Sequence, residues 1–174
     1  MGFLKNNMPV PEIVDGVLGF LPPTESEIRR CDTIASSVRF EEGKDPAAVV
    51  PELFLLKISM ACEYAMGMLE HLGMGEEGLK QFYEFYTARL ARGFAAFFES
   101  MPGHSVVVLK SRMEVYHRAL HERHPEDVHL NVADLFTRFA GAPDDAQLTT
   151  LCLDTCKSMH QAFLDEVKSL GRSE

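Results

Sequence analysis

The chain has 174 residues, with 17 Lys and Arg against 26 Asp and Glu for a net charge of −9, and hydrophobic residues make up 46% of it. That length supports one domain with its own core, needing neither disulfide staples nor a structural metal, and the ordinary composition excludes global disorder. The acidic balance repels phosphate backbones. The nearest basic group, Lys110, Arg112, Arg118 and Arg123, is interleaved with Glu114, Glu122, Glu126 and Asp127, so nucleic acid is not an expected partner.

In chain order, Pro11 can open a short helix that closes by Pro22 and Pro23. TESE, at 24–27, is a capping box and should start a helix to about Phe40. EEGKDP is a turn in which Asp45 caps and Pro46 takes a first helical position, and Pro51 then kinks or restarts the helix. Residues 52–72 are apolar almost all round, and Gly73 ends them. A further helix is expected over 76–101, stopped by Pro102 and Gly103. Ser105 can cap the next, which runs to about His124 before Pro125. A shorter helix over 131–140 ends at Gly141, and the last spans about 144–170.

The expectation is therefore an all-α fold: an antiparallel bundle of four long helices, with shorter N-terminal and inter-helix helices packed on it. The whole chain reads as one domain, with 1–23 a loosely packed extension around a short helix. No signal peptide or uninterrupted apolar span of about 20 residues appears. The four cysteines, Cys31, Cys62, Cys152 and Cys156, are expected as free buried thiols in a reducing cytoplasm.

At about 100° per residue, Glu52, Ser59, Glu63 and Glu70 form one narrow stripe on the 52–72 helix. The stripe is expected to face solvent, and the rest of the helix to be central. Lys57 points into the apolar arc of Phe54, Ala61, Tyr64 and Met68. It either serves as a base or nucleophile of lowered pKa, snorkels to water, or pairs with a carboxylate. On the next helix Leu79, Phe82, Tyr83, Tyr86, Leu90, Phe94, Phe97 and Met101 share a side. They form core, or the lining of a pocket for an apolar ligand.

The stretch EVYHRALHERHPEDVH, 114–129, holds four of the seven histidines. Glu114, His117, His121 and His124 fall within about 80° on a helix, at the edge of its apolar face, so two imidazoles can reach one ion. Imidazole suits zinc, copper, iron or nickel. HERH is one residue short of the zinc-protease motif HExxH, and Arg118 stands between His117 and His121 where that motif needs Glu. On the last helix Cys152, Cys156 and His160 recur every four residues on the apolar face, as core or as ligands of a soft metal.

HRALH, with His117 and His121, and HQAFLD, with His160 and Asp165, together resemble the second half of the hemerythrin signature. That resemblance implies a four-helix bundle holding two irons. The family's HxxxE motif is missing, since His71 is followed four residues on by Gly75 and His104 by Val108. EVYH is similar to the Glu-x-x-His element of ferritin-like di-iron bundles, which need two copies where this chain has one. Neither family is assigned on these residues.

There is no P-loop, GxGxxG or GxSxG, so no catalytic residue is expected. The leading expectation is a non-catalytic helical domain that binds a protein partner or a small apolar ligand and self-associates. The alternative is a bundle binding iron, zinc or copper through Glu114, His117, His121 and, from the last helix, His160. A third reading is a pH-responsive surface built from the clustered histidines.

Overall fold

A computed structural model describes residues 8–19, 21–93, 106–121 and 128–170. These residues are all-helical. The helices are α1 (Val10–Leu18), α2 (Glu25–Ala35), α3 (Val49–His71), α4 (Glu76–Gly93), α5 (Val106–Leu120), α6 (Val128–Ala140) and α7 (Ala146–Leu170), with a 3-10 turn at Pro46–Ala48. No helix among them is long and apolar enough to cross a membrane.

The local signals act as their chemistry requires. The Glu27 amide donates to Thr24 Oγ1 at 3.2 Å, and the Thr24 amide donates back to Glu27 Oε2 at 2.6 Å, closing the capping box of α2. That helix stops at Ala35, short of Phe40. Ser36 and Ser37 follow it, and their hydroxyls donate to the carbonyls of Thr33 and Ile34, competing with helix propagation. Asp45 accepts from the Ala47 amide at 2.9 Å, and Asp145 accepts from the amides of Gln147 and Leu148 at the start of α7. Pro51 falls in the first turn of α3, where its missing N–H costs no hydrogen bond, and the helix runs through it unbroken. α6 ends at Gly141, whose φ of 88° only glycine adopts cheaply. A Cβ added there would also stand 2.8 Å from Lys44 Cβ. The part of the fourth expected helix beyond Gly93, with Phe94, Phe97 and Met101, lies outside the described residues.

α3 is the axis of the molecule. It touches all six other helices of the described residues, and Leu53, Phe54, Leu55, Leu56 and Ile58 are buried in near-succession around it. α4 lays Phe82, Tyr86 and Leu90 against the core, and the Tyr86 hydroxyl donates to the Ile58 carbonyl at 2.8 Å. Tyr83, from the same expected stripe, is instead exposed. α1 is no loose extension: Ile13, Val14 and Val17 are buried, as is Leu21 just after it, and the helix packs on α4 and α3.

The polar stripe on α3 departs from expectation. Glu52 and Ser59 are 1% and 2% exposed. They lie on the side of α3 that meets other helices, and their polarity is matched by protein in place of water. Lys57 is also buried, and of its three readings the structure gives the ion pair. Its Nζ donates to Glu27 Oε2 at 3.0 Å and Oε1 at 3.2 Å, and reaches the Pro22 carbonyl at 3.5 Å.

Glu27 thus both caps α2 and neutralises Lys57. Burial pushes its pKa up, but the Thr24 amide, the Lys57 ammonium and the Thr24 hydroxyl outweigh that and leave it below 4.5. A depressed carboxylate contributes stability that is complete above its unfolded pKa and is lost as pH falls through the folded value. Replacing Lys57 by Met removes two of the influences that lower the pKa. The stability difference between wild type and Lys57→Met, read from urea midpoints, should be largest above about pH 5 and shrink as Glu27 protonates. A pH-independent difference contradicts the pairing.

Candidate metal centre

Two carboxylates of the central helix meet side chains of α5 and of the turn that continues it. The first is Glu52, fully buried. Tyr116 donates its hydroxyl to Glu52 Oε1 at 2.9 Å, and Arg112 Nε stands 3.4 Å from Oε2. The guanidinium in turn lies over the Phe139 ring of α6, 3.3 Å from its centroid, while Tyr116 meets the same ring edge-on at 5.9 Å. Burial, and then the charge of Glu52 and its hydrogen bond, push the Tyr116 hydroxyl far above its ordinary pKa, so it remains a donor.

The second carboxylate is Glu63. The spacing of four puts His117 and His121 on neighbouring turns of one face. His121 sits in the turn that continues α5, its amide donating to the His117 carbonyl at 3.1 Å. Their rings are 4.5 Å apart between centroids. His117 Nδ1 lies 2.5 Å from Glu63 Oε1, and His121 Nε2 lies 2.9 Å from Oε2. The carboxylate is 14% exposed, the imidazoles 54% and 63%, so a largely buried carboxylate faces two exposed rings. One ligand atom from each of the three residues falls within 4.8 Å of the others.

These separations are those of hydrogen bonds. With metal–nitrogen and metal–oxygen bonds near 2.0–2.1 Å, tetrahedral ligand atoms stand about 3.3 Å apart. An ion therefore requires the rings to back away from Glu63 by about 0.5–1 Å, which their exposure permits.

The expected ligands divide. His117 and His121 belong to the cluster. Glu114 is exposed and lines a cavity of about 150 Å³ beside it with Ser59, Glu63, Met66, Tyr83, Met113 and His117, but does not join the three clustered residues. In the same cavity burial, followed by Cys62, Glu114 and Glu63, pushes the Tyr83 hydroxyl up and keeps it a donor. His160 does not point inside as expected: it is exposed and packs edge-on against Tyr64 at 5.5 Å between centroids. On α7 it lies roughly 70° from the centre of the face carrying Cys152, Cys156, Met159 and Phe163, enough to leave the core. Asp165, its companion in the hemerythrin-like pattern, accepts from Gln161 at the surface. His124 lies outside the described residues.

Glu63 is the member of the cluster that sequence reasoning missed. Its signal was present in the line of Glu52, Ser59, Glu63 and Glu70 along an otherwise apolar helix, read as a solvent face. Comparison of the chain with family models, curated proteins and solved structures returned no match.

The Glu52 cluster makes a stability prediction. Tyr116→Phe removes one charged hydrogen bond from a buried carboxylate and should cost about 1.5–3 kcal/mol in urea unfolding. A loss below about 0.5 kcal/mol, the level of an ordinary surface substitution, shows that the bond does not hold α5 in place.

Proposed function

We propose that the chain is a metal-binding helical protein that holds one zinc(II) or iron(II) ion on Glu63, His117 and His121. The observation that carries this reading is the convergence of two imidazole nitrogens from one helix face and a largely buried carboxylate from another within 4.8 Å. Two histidines and a carboxylate are a donor set that suits both ions and leaves a position for water or a small ligand. Glu114 beside the site adds negative charge, which favours a cation.

The supporting scaffold we read as a bundle of helices alternating in direction. Tyr83 shares a cavity with Glu63 and Met66, while Tyr86 meets Ile58, a pairing suited to α4 running against α3. Arg112 and Tyr116 meet Glu52 while His117 and His121 meet Glu63, a pairing suited to α5 running with α3. A role in binding a small apolar ligand gets little support from the cavity beside Glu63, whose volume of about 150 Å³ is below the roughly 300–1,000 Å³ usual for such sites, although cavities of about 340 and 410 Å³ lie beside Lys57 and Cys31.

Calorimetric titration of the tag-free, metal-stripped protein with zinc(II), and anaerobically with iron(II), tests the proposal. One equivalent should bind. Glu63→Gln, His117→Gln and His121→Gln should each weaken binding at least about tenfold, as loss of a metal contact does, with helix content unchanged. Binding that ignores all three substitutions, or no binding of either ion, overturns it.

A further inference from the structure

A second group of donors lies in the core between α3 and α7. Cys152 Sγ and Cys156 Sγ, one turn apart on α7, are 4.0 Å from each other, and Met60 Sδ of α3 is 3.4 Å from Cys156 Sγ. All three residues are 0% exposed, and both cysteines are free thiols. Burial alone accounts for a cysteine as a small apolar side chain. It does not require two thiols and a thioether to turn toward one another in a core that offers aliphatic neighbours in quantity.

The spacing has a chemical meaning. With metal–thiolate bonds of about 2.3 Å, three sulfurs in a plane around one ion stand about 4.0 Å apart. The two cysteines are already at that separation, and Met60 is short of it by about 0.6 Å from Cys156, a shift that its flexible, unbranched side chain can supply. Thiolate and thioether donors select soft ions, copper(I) before the divalent ions that suit imidazole and carboxylate. We propose that Met60, Cys152 and Cys156 form a buried copper(I) site, separate from the Glu63–histidine cluster and independent of its occupancy.

The exchange balances without a redox step. Two S–H bonds break and two copper–sulfur bonds form, two protons pass to solvent, and the Met60 sulfur adds a lone pair. Because the sulfurs are fully enclosed, loading should be slow and set by local opening of α7 from α3.

The test is an anaerobic titration of the reduced, tag-free full chain with copper(I), in competition with bathocuproine disulfonate. One equivalent should be retained. Cys152→Ala and Cys156→Ala should weaken it at least 100-fold, and His117→Gln with His121→Gln should leave it unchanged. Should the alanine variants fail to fold, Met60→Leu keeps the volume and should still weaken binding about tenfold, with an unaltered thermal midpoint. X-ray absorption of the loaded wild type should show three sulfur neighbours. No retained copper, nitrogen neighbours, or affinity lost only in the histidine variants overturns the proposal and leaves the three sulfurs as core packing.

Discussion

The interaction on which the rest depends is the buried carboxylate of Glu52. An ionised group taken from water into the core costs several kcal/mol unless it is paired and hydrogen-bonded. Here Tyr116 and Arg112 both come from α5, and Phe139 of α6 stacks on the arginine. The bonds to Glu52 therefore favour one position of α5 along α3, and a slip of α5 would break those to Tyr116 and Arg112. That constraint positions the next residue after Tyr116 as well. His117 and, a turn later, His121 come against Glu63 because Tyr116 is held at Glu52.

The non-aliphatic side chains of α3 are shared out among its neighbours. Lys57 serves α2 through Glu27. Glu52 and Glu63 serve α5. Met60 and Tyr64 meet Cys156 and Phe163 of α7. The Ile58 carbonyl takes the Tyr86 hydroxyl of α4. Apolar burial holds these helices together without direction, whereas each polar or sulfur contact specifies one partner and one register. The two clusters of possible donors differ in the same terms: two exposed imidazoles with a carboxylate at the rim, and three fully buried sulfurs in the interior.

Much of the fold was legible because its signals are local. The Thr24–Glu27 box, Asp45 with Pro46, Gly73 and Gly141 each act within a few residues, and each marks the boundary it should. α2 ended early because two consecutive serines compete for its carbonyls, a weaker signal than the box that starts it. The near-continuous apolar surface of residues 52–72 did identify the central helix. What failed was the reading of faces. A helical wheel shows that Glu52, Ser59 and Glu63 share a side, but not whether water or another helix lies opposite. With Arg112, Tyr116, His117 and His121 unassigned to that side, the stripe looked like surface. His160 failed for a related reason: its angle puts it at the margin of a buried face, and only the position of Tyr64 decides on which side of the margin it falls.

The pairing of Lys57 with Glu27 bears on how the chain can be cut. A fragment beginning after α2 would keep the lysine in the apolar wall of α3 and remove its counter-charge, while uncovering the surface against which Val14, Val17 and Leu21 are buried. The N-terminal segment is in that sense part of the interior, tied in by a charge as well as by its side-chain volume. Expression boundaries drawn to isolate the longer helices would take a structural wall with them.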